Sequence, residues 1–198
     1  MKAGGTIASP NTMVWEFFGA LRRLCIRITE YQEESDSEIR QDVAVAIILA
    51  VQCVEVFLNV YFRVLVSEED FADKEKQIIA DLENPRFGLE CKIRDWPEKV
   101  FGKKLNLGEG AGQRFIALKN LRNRLVHFTS SHQTIEIPGI AIQGLADISA
   151  YQSLSAQTAL DALFTSEDFL CEVFSLRGID SENLSHALHS WTGRVPNK

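Results

Sequence analysis

The sequence has few cysteines, and none of them are paired in the way that metal or redox motifs require. Its four cysteines are separated by 28, 38 and 80 residues, which excludes the short spacings of zinc ribbons and dithiol motifs. We therefore expect buried, reduced thiols and a cytoplasmic location. The N-terminal MKAGGTIASPN holds one lysine and no apolar core, so it does not have the pattern of a secretory signal.

Long structureless or repetitive tracts are also missing. No internal repeat or low-complexity segment divides the 198 residues, and a chain of this size suits one domain that buries roughly 70% of its unfolded surface. We expect a single domain over residues 1–198, with its helical core at about 12–177. His186 and His189 have no third ligand in view, and we expect no metal and no other cofactor.

One apolar run is long enough to raise the question of a membrane span. Residues 43–66 read VAVAIILAVQCVEVFLNVYFRVLV. However, Gln52, Glu55, Asn59 and Arg63 recur at helical spacing on one stripe about 80° wide. This pattern favours the central helix of a soluble bundle with one polar seam, so we expect no membrane association.

Helical spacing dominates the rest of the chain, and the whole predicts an all-α fold. The expected architecture is an up-and-down helical bundle of four to five main helices with an irregular or hairpin insertion near 130–150. The first predicted elements are a helix over 12–31, a long second helix opened by Ser35 and Glu38, and a third helix opened by Ser67 and Asp70 and ended by Asn84-Pro85.

The second half of the chain begins with a short helix broken near Trp96-Pro97 and a flexible connection, FGKKLNLGEGAG. A helix from about Gly112 follows, then a final long helix from Ser153 to Arg177 stopped by Gly178, and a weak helix near 181–191.

Charge is distributed unevenly along the chain. The net charge is -6, which argues against general adhesion to nucleic acid because an acidic surface repels phosphate. Residues 86–127 nevertheless hold ten Lys or Arg against four acids, a local +6. We call residues 86–127 the basic segment.

The basic segment ends in LRNRLVHF, which places polar side chains at the end of a helix with a leucine stripe. Asn123 and His127 are four residues apart and share a face opposite the leucines, whereas Arg122 lies at the border of the apolar stripe, where a guanidinium needs an anionic partner. Glu55 is one possible partner for Arg122. Arg122 and His127 are about 140° apart on an ideal helix, so a two-fold dimer would bring two copies of each together.

These residues resemble a known signature. FIALKNLRNRLVHF, with Arg122-Asn123 and four residues between Arg122 and His127, is similar to the Arg-x4-6-His motif of the HEPN superfamily of helical bundles, and AVQCVEVFLNVYF resembles the second helix of many members. The resemblance covers residues 40–176. It implies a homodimeric, metal-independent endoribonuclease, of a kind frequent in toxin–antitoxin and antiviral defence systems, with RNA as substrate and an antitoxin protein as a potential partner.

The resemblance also implies roles for individual residues. Arg122 would stabilise the transition state, His127 would be the acid or base, and Asn123 would position phosphate or His127. Arg124 and Lys119 lie outside the signature, and we expect them to contact RNA.

Less specific interpretations stay open beside the catalytic one. The His127 side chain could cap carbonyls at a helix C-terminus, and Arg122 could belong to a structural ion pair. Some members of the superfamily are non-catalytic, so the alternative function is a regulatory module that binds a nucleotide, RNA or a protein without turnover.

Overall fold

The fold is organised around one long apolar helix. The computed structural model describes residues 9–30, 36–127, 133–138, 140–145 and 148–195. In these ranges the α-helices are α1 (Thr12–Glu30), α2 (Asp36–Leu65), α3 (Glu75–Glu83), α4 (Leu89–Phe101), α5 (Gly110–Val126), α6 (Ser149–Gln152), α7 (Ala156–Arg177) and α8 (Leu184–Thr192). Short 3-10 helices, Glu69–Lys74 and Ser181–Asn183, precede α3 and α8. The expected all-α bundle is confirmed.

Helix α2 is the centre of the bundle because apolar residues occupy most of its circumference. It packs mainly against α1 and α7, and also against α5. Its buried residues join one hydrophobic cluster that extends through α1, α4, α5 and α7. By length and composition α2 could cross a membrane, with a mean hydropathy of 2.3 in its most apolar window, and half of that window is buried within the fold. Core helices of soluble proteins have the same properties.

Aromatic side chains fix the C-terminal part of the chain on this core. Trp191 of α8 lies edge-on to Phe57 and Tyr61 of α2, with ring centroids 5.6 and 5.1 Å away. Phe174 of α7 completes the same cluster. The predicted weak helix near 181–191 is therefore stabilised by packing rather than by its own helical propensity.

The insertion between α5 and α6 contains a β-hairpin. Strands β1 (Gln133–Ile137) and β2 (Ile140–Leu145) are antiparallel, and Ile137 pairs with Ile140 next to the turn at Pro138. Of the two alternatives expected near 130–150, an irregular segment or a hairpin, the structure has the hairpin.

Two predicted helix boundaries are wrong, for local reasons. The predicted break at Trp96-Pro97 is absent, because α4 continues to Phe101 with Pro97 inside it. Buried Ile93, Trp96 and Val100 hold that helix on the core and outweigh the hydrogen bond that Pro97 cannot donate. The predicted cap at Ser67 is also wrong, since its hydroxyl donates back to the carbonyl of Val64 at 2.5 Å. The cap predicted at Ser35 lies outside the described residues.

Candidate functional site

The candidate site is at the C-terminal end of α5, and the start of that helix is firmly anchored. Gly112 is buried against the α4–α5 connection, where a Cβ would lie 2.1 Å from the carbonyl oxygen of Asn106. The amide of Gly112 also donates to Glu172 Oε2 of α7 at 3.1 Å. The Asn106 side chain accepts from the amide of Gly108 and donates to Glu109. The connection predicted to be flexible is thus a hydrogen-bonded loop that positions α5.

The buried face of α5 sets which side chains reach the surface. Phe115 is fully buried and packs on Phe169 of α7, with ring centroids 4.4 Å apart. Leu118 is buried, and Leu121 and Leu125 are partly buried against the same core. The predicted leucine stripe is confirmed over these three positions, and Phe128 lies outside the described residues.

Arg122, Asn123, Arg124 and His127 lie on the outer part of α5's last turns. Arg122 and Asn123 are half-buried, while Arg124 and His127 are exposed. His127 is the C-cap residue, with φ -108° and ψ 84°, and its amide donates to the carbonyl of Asn123 at 2.8 Å. Its backbone has left the helical path, so the angle between His127 and Arg122 is not fixed by helical geometry.

The four side chains are also unpaired within the part of the chain that the structure describes. No ion pair or side-chain hydrogen bond there involves Arg122, Asn123, Arg124 or the His127 imidazole. The two structural interpretations, an ion pair for Arg122 and carbonyl capping by the His127 side chain, therefore find no partner among the described residues. A guanidinium and an imidazole left free at a surface are available to an anionic ligand.

Most other cations of the basic segment are already neutralised. Six of its ten Lys and Arg form ion pairs with carboxylates: Lys92 with Glu55, Arg94 with Asp95, Lys99 with Asp81, Lys104 with Glu98, Arg114 with Asp168 and Lys119 with Glu90. Lys103 donates to the carbonyl of Leu176. The unpaired positive charge that the sequence spreads over 42 positions is thereby concentrated at the end of α5, with two exceptions: Arg86 on the α3–α4 connection, and Lys103, whose charge a neutral carbonyl does not compensate.

Two supporting residues have other roles than expected. Glu55 accepts from Lys92 Nζ at 3.0 Å, so the ion pair with Arg122 that the sequence left possible is not formed among the described residues. Lys119 is only 8% exposed and donates to Glu90 Oε2 at 2.7 Å, which lowers the pKa of Glu90. A buried ammonium with a carboxylate partner links α5 to α4, and Lys119 is poorly placed to contact RNA.

A groove beside the site was not apparent from the sequence. It lies between α2, α5 and α6, has a volume of about 190 Å³, and is lined by Ala44, Ile48, Arg124, Leu125, Ile148, Ala150 and Tyr151. Ile48 and Ile148 are 41% and 44% exposed, so the groove has apolar walls with a guanidinium at one edge. The only sequence signal was the apolar Ala44–Ile48 spacing on α2, which equally describes a core face.

Metal ligands are not clustered in the described ranges, where no group of three or more His, Cys, Asp or Glu is placed to hold an ion. His189 Nδ1 lies 2.8 Å from the carbonyl oxygen of Arg194, and its ring packs edge-on to Trp15.

Comparison with known proteins gives no further assignment: no family model, no curated protein and no solved structure matches the chain.

Proposed function

We propose that this protein is a metal-independent endoribonuclease whose site combines Arg122, Asn123 and His127 from two subunits. The observation that carries the proposal is the set of unpaired side chains at the end of α5, in a segment where six of ten cations are ion-paired. The resemblance of this stretch to the HEPN signature supports the same proposal, and would fit a toxin or defence protein in the cytoplasm.

The chemistry needs only these groups and RNA. A neutral His127 imidazole takes the proton of a ribose 2'-hydroxyl, whose oxygen attacks the adjacent phosphorus. The bond from phosphorus to the 5'-oxygen breaks, and an imidazolium donates a proton to that oxygen. Arg122 stabilises the negative charge that builds up on the phosphoryl oxygens. The products are a 2',3'-cyclic phosphate and a 5'-hydroxyl.

Two imidazoles serve this reaction better than one, because one proton is removed on one side of the phosphorus while another is added on the opposite side. A single α5 supplies one His127. A two-fold dimer that brings two α5 ends together would supply an acid and a base and place Arg122 of both subunits near the phosphate.

The remaining polar residues have supporting roles in this proposal. Asn123 is half-buried beside Arg122 and can donate its amide to a phosphate oxygen or orient His127. Arg124 is exposed and contacts the RNA strand outside the reacting phosphate. Lys119 and Glu55 act through structure, by holding α5 and α2 against α4.

The test is cleavage of a labelled single-stranded RNA by the purified protein in the presence of EDTA. We expect products ending in a 2',3'-cyclic phosphate. His127→Ala should lower the rate by about 100- to 10,000-fold, and Arg122→Ala by about 100- to 1,000-fold.

Two matched control variants test whether a loss of cleavage is specific to the proposed site. His186→Ala removes an exposed histidine of α8, and Arg86→Ala removes an exposed, unpaired arginine far along the segment. Both should cleave at the wild-type rate. Cleavage retained in both Arg122→Ala and His127→Ala, or a monomeric protein in sedimentation at working concentration, would overturn the proposal.

A non-catalytic binding module is the second candidate, and the apolar groove beside Arg124 favours it. In that case the wild-type protein would bind RNA, a nucleotide or a partner protein such as an antitoxin, and would release no cyclic phosphate.

A further inference from the structure

We propose that the groove between α2, α5 and α6 is a pocket for one unstacked base of a single RNA strand, with guanine as the preferred base. The inference rests on the proposed function in one respect, which is that the ligand is RNA. It goes further by naming the residues that select the sequence.

The dimensions of the groove favour a small, flat ligand. Its volume of about 190 Å³ is below the roughly 300 to 1,000 Å³ of pockets for drug-sized molecules. Ala44 and Ala150 leave space between the larger walls formed by Ile48, Ile148 and Leu125. A nucleobase has two apolar faces that such walls can cover, and single-stranded RNA can turn its bases out of the stack.

The polar edge of the groove favours a base rich in acceptors. Arg124 lines the groove, is exposed, and has no partner among the described residues. A guanidinium has donors only, and the commonest specific arginine contact is the bidentate one with O6 and N7 of guanine. Adenine offers a donor beside N7 on that edge, and cytosine and uracil lack the paired acceptors.

A second guanidinium lies close to the same groove. Arg40, Ala44 and Ile48 recur every four residues and share one face of α2, and the Tyr151 hydroxyl lies 3.5 Å from the Ser37 carbonyl oxygen, which places α6 beside the first turns of α2. The Nε atom of Arg40 is buried and makes no hydrogen bond within the described ranges. Arg40 does not line the groove itself, so it adds positive charge one turn of α2 away from Ala44 and no contact with the base.

The position of the groove connects it with the proposed cleavage site. Arg124 is two residues from Arg122 and three from His127, so all three lie within the last two turns of α5 and its C-cap. A strand whose phosphate lies at Arg122 and His127 can therefore place a neighbouring base at Arg124. We infer that cleavage occurs next to guanine.

The test uses oligonucleotides that cannot be cleaved, so that base selection is measured apart from catalysis. The probes are fluorescent hexauridylates with 2'-O-methyl riboses in which one central base is guanine, adenine or cytosine, and binding is followed by anisotropy. We expect the guanine probe to bind about tenfold more tightly than the others.

Variants assign this preference to the groove. Arg124→Ala removes the donors, and Ala44→Phe fills the space; each should abolish the preference for guanine. Arg86→Ala and Ala80→Phe, at exposed positions outside the groove, are the matched controls and should keep it. If Ala44→Phe does not fold, Ala150→Leu fills the groove from α6 instead.

The outcomes separate this inference from the cleavage proposal. Equal binding of all probes, or a guanine preference that survives both groove variants, would overturn it. Guanosine monophosphate that binds as tightly as the hexamer and displaces it would also overturn it, because the occupant would then be a free nucleotide. Selective binding without any RNA cleavage would support the pocket and reject the nuclease.

Discussion

Arg22 of α1 donates to Glu167 of α7 at 2.9 Å in the interior of the bundle, and Glu167 shares its carboxylate between two arginines. Arg194, just after α8, donates to the other oxygen of Glu167 at 2.8 Å. The Glu167 side chain is 2% exposed, and Arg22 also donates to the carbonyl and hydroxyl of Thr192. One buried anion therefore connects α1, α7 and the end of the described chain.

Glu167→Gln should destabilise the protein by about 2 kcal/mol. The change keeps the shape of the side chain but removes the charge that two arginines share, and charged hydrogen bonds in the interior contribute more than surface ones. The neighbouring Asp168→Asn is the matched control, because its pair with Arg114 is half-exposed on both sides and should contribute less than about 1 kcal/mol. Urea unfolding of both variants checks this, and equal losses would contradict it.

Gly112→Ala should be destabilising although it introduces a better helix former. The added Cβ would lie 2.1 Å from the Asn106 carbonyl oxygen, a backbone atom, and overpacking of this kind costs about 1 to 3 kcal/mol. Gly19→Ala in α1 is the control, since its Cβ would meet only the end of the Arg23 side chain at 3.4 Å. That variant should gain up to about 1 kcal/mol. Thermal unfolding distinguishes the two, and stabilisation by both would contradict the close approach.

Cysteine labelling should separate buried from accessible thiols. Burial raises the pKa of Cys25 to about 11 and, more strongly, that of Cys53 to about 12. At pH 8 very little of either thiol is in the reactive thiolate form. Cys91 is half-buried and should be modified first by a maleimide, with Cys25 and Cys53 reacting only on unfolding. Mass spectrometry of the labelled peptides checks the order, which early labelling of Cys53 would contradict.

Protonation of Glu90 should account for part of the loss in the free energy of unfolding at acid pH. The hydrogen bond from Lys119 lowers the pKa of Glu90 below its ordinary value of 4.5, so the folded state holds this carboxylate ionised more strongly than the unfolded chain does. Its contribution is present above pH 4.5 and is lost as the pH falls through the lower folded pKa. Because Glu90 is exposed, the effect is under about 1 kcal/mol. Glu90→Gln should flatten the acid side of a urea-midpoint profile, and so should Lys119→Met; an unchanged profile in Lys119→Met would contradict the assignment.

RNA binding by the proposed nuclease should depend only modestly on salt. If Arg122 of two subunits contacts phosphate while Arg124 contacts a base, two cations give a slope of about -1.4 in a plot of log affinity against log salt, at about -0.7 per contact for single strands. If all ten cations of the basic segment took part, the slope would be far steeper. Titration of an uncleavable RNA between 50 and 300 mM salt measures it, and a slope steeper than about -6 would contradict the ion-pair assignment of the segment.

The periodicity of apolar residues was enough to predict the long helices, because an apolar stripe at helical spacing is stable in water only when it packs against other elements. The predicted helix over 12–31 corresponds to α1, and the predicted stop at Gly178 is the C-cap of α7, with φ 97°. Local signals failed where packing outweighed them. Pro97 is inside α4 because the residues around it are buried, and Ser67 has a closer acceptor in Val64.

The candidate site was predictable in position but not in its electrostatics. The sequence places Arg122 to His127 at the end of a helix, and α5 ends there. Which cation reaches Glu55 depends on how α2 and α4 are aligned along their axes, and this is decided by interhelical packing that no local pattern encodes. The same packing buries Lys119, which follows buried Leu118 and precedes exposed Asn120 in the sequence, and creates the groove beside Arg124.

The close approach of Gly112 to Asn106 has a consequence far from both residues. A helix is stiff and rises about 1.5 Å per residue, so the last turn of α5 is roughly 20 Å from this contact. A tilt of a few degrees imposed at the first turn would displace the distal guanidinium and imidazole by an ångström or more. Sequence changes in the α4–α5 connection could therefore alter the outer end of the helix without contacting anything bound there.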